Sequence, residues 1–326
     1  MILDIEKPLL ELEQKIAELK EVNDSGQIDL SMAIAQLERD AEEVKRSIYS
    51  KLTPWDRVQI ARHDKRPTTL DYIRELFTGF IELHGDRYFA DDPAIVAGFA
   101  RFEGQSCLVV GHQKGKKDTK DNLARNFGMP SPDGFRKAAR LMSLAARFCV
   151  PIITFVDTPG AYPGIEAEER GQFEAIAASI ALMTELPVPI VTMVIGEGGS
   201  GGALGIAVGD RVLILENSVY SVISPEGCAT ILWRDASKAE AAAARLGLTS
   251  DVLRKFGLVD EIVPEPVGGA HRDLSATFES VRLALKQHLA EVQKIPAEDL
   301  LDTRYAKYRA LGVVVETTPD TAVGVR

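Results

Sequence analysis

The stretch GEGGSGGA, residues 196–203, has five glycines in eight positions, so it is the backbone here, more than any side chain, that invites chemistry. It lies between the apolar run VPIVTMVI and LGIAVG, a strand followed by a short helix. Three chemistries fit. Gly196, Gly198 and Gly201 spell GxGxxG, and Glu216 follows Gly196 by twenty residues, as the ribose-binding acid of a dinucleotide site would. Against this, the eight residues ALGIAVGD leave little room for a crossover helix before RVLILE. GGSGG also matches GxSxG with Ser200 as a nucleophile, and the triad histidine would be His271 or His288, neither placed by a recognisable pattern. The third reading asks nothing of side chains. A helix that opens on tandem glycines leaves main-chain N–H groups unpaired beside its positive end, and Gly201 and Gly202 would be the donors to an oxyanion. That reading accounts for glycine density without the GK[ST] of a phosphate loop.

Two further turns follow strands. DTPGAYPG, residues 157–164, fixes a rigid loop after PIITFV through Pro159, Gly160, Pro163 and Gly164, at the strand end where α/β sites are built. SPEGCATILW, residues 224–233, follows SVYSVI. Three turn-rich loops, each after a strand, point to one composite pocket. A hydratase would instead need a positioned carboxylate pair, and Glu166, Glu168 and Glu169 are the crowded acids beside a glycine turn.

The elements that must position these turns are apolar runs alternating with helical ones from AIVAGFARF onward. IITFV and IVTMVI are apolar at nearly every position, which suits a sheet covered by helices on both faces. Before them, TLDYIRELF reads as a capped helix, and two helices of heptad-like spacing, Leu12 to Val22 and Leu30 to Ile48, form a hairpin. Asn23 to Gly26 supplies its turn, and Asp29 or Ser31 could cap the second helix. The expected organisation is an arm over 1–51, an α/β body over 52–312 and a loosely held tail over 313–326.

Composition removes other classes. A net charge of −10 argues against a whole-surface nucleic-acid binder. No run approaches the roughly 20 apolar residues of a membrane helix, and MILDIEKPLLELEQ carries acids where a signal peptide carries bases, so a cytoplasmic protein is expected. Cys107, Cys149 and Cys228 are far apart with no CxxC pair, giving no zinc knuckle, and read as small buried residues. One basic run breaks the acidic background: Lys114, Lys116, Lys117, Lys120 and Arg125, followed by Arg136, Lys137 and Arg140. No aromatic stacking set accompanies these lysines, which disfavours nucleic acid.

IGEGGSGGALG, FVDTPGAYPG, AEERGQ, YSVISPEGCATILW, GHQKGK, RNFGMPSPDGFRKAARLM and PEPVGGAHR together resemble the carboxyltransferase alpha subunits of bacterial multi-subunit acetyl-CoA carboxylases, over roughly residues 5 to 310. The resemblance implies a crotonase-like fold of stacked ββα units and a site shared with a beta subunit in an alpha2beta2 heterotetramer. It implies transfer of the carboxyl group from carboxybiotin, tethered to biotin carboxyl carrier protein and charged by biotin carboxylase, to acetyl-CoA, giving malonyl-CoA for fatty-acid synthesis. Gly201 and Gly202 would then serve the biotin ureido oxygen, and the beta subunit the acetyl enolate. Gly199, Ser200, Thr158, Pro159, Gly160, Tyr162 and Gly164 would shape the biotin side, Tyr162 as a ring contact. Pro225, Glu226 and Gly227 would face the site, with Glu226 a helix cap on the alternative reading. Lys114, Lys116, Lys117, Lys120 and Arg125 would be phosphate contacts for coenzyme A or contacts for the carrier. No metal is implied on this chain, since the four-cysteine zinc site of the family belongs to the beta subunit, and ATP is used by the carboxylase half of the holoenzyme.

Overall fold

The structure, a computed structural model, describes residues 3–24, 29–115 and 119–312. Lys116 and Lys117, residues 25–28 of the expected hairpin turn and the expected tail 313–326 lie outside the described residues.

Among the described residues, eight strands form one mixed sheet: β1 Phe77–Glu82, β2 Ile95–Phe102, β3 Gln105–His112, β4 Ile152–Thr158, β5 Ile190–Gly199, β6 Arg211–Leu215, β7 Val219–Ser221 and β8 Glu261–Val263. Their order is β1-β2-β3-β4-β5-β6-β8, with β7 paired to β5. The first three strands run antiparallel as a meander and the rest run parallel. Alternation divides the core in two. In β4, Ile152 and Val156 face the helices Pro132–Arg147 and Gln172–Glu185, while Ile153 and Phe155 face Thr69–Leu76 and Leu274–Val292. β5 repeats this with Ile190 and Val194 on one side and Val191, Met193 and Ile195 on the other, which is why both strands read as apolar throughout.

β5 changes partner along its length. Val191 to Val194 pair with β6, but Glu197 to Gly199 pair with β7, so the end of β5 leaves the layer that began it. On its other side Gly198 pairs with Thr158, the last residue of β4. The 196–203 and 157–164 turns therefore start from adjacent strand ends.

The helices Lys7–Asp24 and Ser31–Tyr49 pack along a seam of Leu9, Ile16, Ile34 and Ala41. Ser31–Tyr49 has Leu30 at its N-cap position and no side-chain cap, although Asp29 accepts the Ser31 amide at 3.0 Å. Thr69–Leu76 opens on a Thr68–Asp71 capping box. One cysteine departs from expectation: Cys107 is buried and Cys228 half-buried, but Cys149 is exposed, at φ 53° in the turn after Pro132–Arg147.

Candidate functional site

The glycine turn is built from the end of β5 and a five-residue helix, Ser200–Leu204. Gly199 precedes that helix, and Ser200 enters it at φ 52°, a left-handed conformation unusual outside glycine. Contact with the 157–164 turn explains two of the glycines. A Cβ on Gly199 would lie 2.1 Å from the Pro159 carbonyl oxygen, and one on Gly202 would lie 2.4 Å from the Ala161 nitrogen. Gly201 differs. A Cβ there would meet nothing nearer than Ile176, at 3.6 Å, so the packing of this chain does not require a glycine at that position.

The three expected turns do come together. Pro159, Gly198, Gly199, Ser224 and Pro225 line one small cavity of about 20 Å³ with Arg62. Beside it Ser200, Gly201, Leu204, Tyr220 and Val222 line a larger apolar cavity of about 400 Å³. Thr158 braces the first turn, donating its hydroxyl to the Gly160 carbonyl at 2.7 Å and accepting the Gly160 amide at 3.1 Å. In the third turn Ser224, and not Glu226, caps the helix Pro225–Trp233 by accepting the Gly227 amide at 3.1 Å. Tyr162 is half-buried and lies over Gly164, where an added Cβ would come within 2.3 Å of the ring.

Charges around the turns are paired inside the fold. Arg62 reaches Glu197 and Glu226, each at 2.6 Å, and so ties the second turn to the third. Lys114 lies 2.7 Å from Asp157 and 2.8 Å from Glu197 and ties the first turn to the second. Burial alone would raise the Glu197 carboxyl, but the Lys114 and Arg62 cations outweigh it and bring it down to about 2. Burial likewise works against the Lys114 ammonium, and Asp157 with Glu197 raises it above the ordinary range. Lys114 is therefore committed to two carboxylates of its own chain. Arg125 is held by Asp121 at 3.0 Å and by the Pro93 carbonyl at 2.8 Å, while Lys120 is exposed on the helix Thr119–Ala124. Of the rest of the basic run, Lys137 is buried against Asp91, Arg136 bonds the Arg170 carbonyl and Arg140 that of Gly85.

The side-chain readings of the glycine turn find no support in the geometry. His271 is 3.4 Å from Glu6, and His288 is paired with Glu261, so neither histidine serves Ser200. Glu216 accepts the Glu265 amide at 3.2 Å. Glu166, Glu168 and Glu169 are exposed on a short helix, Ile165–Glu169, and form no convergent pair. Glu6, His63 and His271 meet where the arm joins the body, with potential ligand atoms within 4.8 Å. The two rings stack at 4.0 Å and 29°, so their in-plane lone pairs do not aim at one point, and Arg272 occupies Glu6 at 2.7 Å. That cluster ties Glu6, near the start of the chain, to His271 and Arg272.

The sequence reading missed Arg62, Asp157 and the neutralising role of Lys114. Each belongs to a different element, and no spacing links them.

Comparison with known proteins gives a consistent result. A family model described as acetyl co-enzyme A carboxylase carboxyltransferase-like matches residues 2–312. The chain is 58% identical over 310 residues to the acetyl-coenzyme A carboxylase carboxyl transferase subunit alpha of Thiobacillus denitrificans, covering 95% of this chain and 96% of the relative. It is 56% identical to the protein of the same name from Azoarcus sp., with the same coverage. Among solved structures it resembles transcarboxylase 12S (TM-score 0.56, 21% identity, 70% of this chain and 43% of that one). It also resembles a Pseudomonas malonate decarboxylase hetero-tetramer (TM-score 0.55, 19% identity, 67% and 89%). At such identities the structural likeness is one of fold, and that fold is the crotonase type expected from the sequence.

Proposed function

This chain belongs to the acetyl co-enzyme A carboxylase carboxyltransferase-like family, and on that premise we propose that its three convergent turns are the alpha half of a site that carboxylates acetyl-CoA to malonyl-CoA. The carboxyl donor is carboxybiotin on biotin carboxyl carrier protein, charged by biotin carboxylase, and the other half of the site comes from a beta subunit within an alpha2beta2 assembly in the cytoplasm.

The observation that carries this reading is the contrast within the glycine turn. Gly199 and Gly202 are glycines because the 157–164 turn presses on them, but Gly201 faces a cavity that its own chain leaves open. A missing side chain with no internal clash suits the close approach of a ligand. The first amides of the helix Ser200–Leu204 lack intrahelical partners, and the residues present fit a ureido oxygen: Gly201 lines the apolar cavity, and Gly202, the next glycine of the same turn, is buried directly behind it.

Bound carboxybiotin would supply the carboxyl group itself and a ring nitrogen able to take the acetyl methyl proton. The work of this chain is to hold donors where negative charge grows. The Gly201 and Gly202 amides are the biotin-side donors, worth about 3 to 4 kcal/mol by the usual magnitude for such a site. Gly199, Ser200, Thr158, Pro159, Gly160, Tyr162 and Gly164 shape that side, and Pro225, Glu226 and Gly227 close it. Arg62 and Lys114 offset most of the negative charge of Glu197, Asp157 and Glu226, which would otherwise repel a developing anion. Lys116, Lys117 and Lys120 stay as candidate contacts for phosphate or carrier.

The test is malonyl-CoA formation from free carboxybiotin and acetyl-CoA by this chain alone, by a cognate beta subunit alone and by the two mixed. Turnover confined to the mixture supports a shared site. Turnover by this chain alone contradicts it.

A further inference from the structure

His112, the last residue of β3, is fully buried and takes no part in the ion pairs around the turns. Its Nδ1 accepts the Asp157 amide at 3.4 Å, and its Nε2 lies 3.1 Å from the Gly202 carbonyl oxygen. One ring thus spans the exit of β4 and the short helix after β5. We propose that His112 is a positioning residue for the Gly201–Gly202 donor pair, acting as a neutral imidazole that donates from Nε2 to the Gly202 carbonyl and accepts the Asp157 amide at Nδ1.

Each partner fixes one half of the tautomer. A carbonyl oxygen can only accept, so Nε2 carries the proton; a backbone N–H can only donate, so Nδ1 is bare. A doubly protonated ring would set an N–H against the Asp157 amide and place a cation near Lys114. Burial, with Lys114 a further cause, pushes the ring down to about 3 against the opposing pull of the Gly202 and Phe155 backbone, in keeping with a neutral ring.

The bond to Gly202 meets a need created by the short helix. In a longer helix the Gly202 carbonyl would be taken by the Ile206 amide, but that amide bonds Ala203 at 3.2 Å. His112 supplies the missing donor. The ring is itself held in place: residue 112 pairs with Ile95 of β2, and its carbonyl accepts the Thr69 hydroxyl. Gly202 is thus gripped by His112 through its carbonyl and, across its Cα, by the 160–161 backbone. Holding the Gly202 carbonyl fixes the 202–203 peptide, and the backbone pressed against the Gly202 Cα limits rotation about the two bonds beside it, so the N–H of the adjoining 201–202 peptide keeps its direction, on which a backbone donor site depends.

This inference rests on the carboxyltransferase reading, and its test separates the two. Wild-type, His112→Phe and His112→Gln chains are each assembled with the beta subunit and assayed with free carboxybiotin and acetyl-CoA. An inactive wild-type complex would count against the reading as a whole. With an active wild type, His112→Phe, which keeps the volume and loses both bonds, is expected to lower kcat about 10- to 100-fold at unchanged KM for acetyl-CoA. His112→Gln, which can still donate, is expected to recover most of it. Unchanged kcat in assembled His112→Phe, or His112→Gln no better than His112→Phe, would overturn the proposal. Should His112→Phe fail to assemble, 15N NMR of the wild-type ring decides: a neutral Nε2–H tautomer from pH 8 to pH 5 is expected, and an Nδ1–H tautomer or a titrating ring would overturn it.

Discussion

Asp157 accepts the amide of Glu197 through Oδ1 at 2.9 Å, and the two carboxylates share the ammonium of Lys114. The residue that closes the approach to the first turn therefore also orients the backbone entering the second. The approach is so close that a Cβ on Gly196 would fall 2.3 Å from the same Asp157 oxygen.

Lys114 is the shared cation of that arrangement. Lys114→Met is expected to destabilise the chain by about 3 to 5 kcal/mol, because it removes the cation that two buried carboxylates share. The measurement is urea denaturation followed by circular dichroism. A loss below about 0.5 kcal/mol, with a raised KM for acetyl-CoA instead, would return Lys114 to the role of a phosphate contact.

The glycines of the turn should separate by function. Gly199→Ala and Gly202→Ala force a Cβ into backbone and are expected to cost about 1 to 3 kcal/mol or more. Gly201→Ala has room and is expected to stay within about 1 kcal/mol of the wild type. Equal losses in thermal unfolding for all three would contradict the packing described.

Much of this was legible beforehand, and the reason is local. Strand-then-turn punctuation marks all three loops, and apolar runs mark the buried sheet. β1 was not legible, since Phe77–Glu82 is half exposed and its pairing with β2 is interrupted between Thr78 and Ile81. Nor was the charge network, because Arg62, Lys114, Asp157 and Glu197 stand far apart in the sequence and meet only in the fold. Lys114 read as one member of a basic run for the same reason: linear spacing says nothing of which lysine turns inward.

Acid should weaken the fold in a defined order. Burial, and then His271, pushes His63 down to about 4, and burial pushes His112 down to about 3, against an ordinary 6.5. Below pH 6.5 the unfolded chain gains protons at both that the folded chain refuses. Asp92 opposes this, since burial pushes it up to about 6 from 3.8 and the folded chain holds that proton alone. Two protons against one leave a net uptake of about one on unfolding near pH 5, or about 1.4 kcal/mol lost per pH unit. Below 4.5, Glu197 and Glu6, each held at about 2, add to the loss. Urea midpoints at pH 7, 6 and 5 should fall in that order; a flat or rising series contradicts the assignment.

The cysteines give a reading of the fold that needs no partner. Cys149 is exposed, whereas Cys107 is buried and its thiol is pushed up to about 12 by that burial. An aromatic disulfide reagent is expected to label Cys149 in the folded chain and Cys107 only in denaturant. A fast phase that persists in Cys149→Ser and maps to Cys107 would contradict the placement of β3.

The central claim is that backbone donors at Gly201 and Gly202 face a ligand held between this chain and a beta subunit. The most direct measurement is malonyl-CoA turnover by the assembled complex carrying Gly201→Val, beside a wild-type complex of matched melting temperature. The account predicts an assembled, folded complex whose kcat falls by at least about 100-fold, because the Val side chain leaves the amide in place but keeps the ligand from reaching it, which amounts to losing one oxyanion donor. A Gly201→Val complex that turns over at the wild-type rate would contradict it.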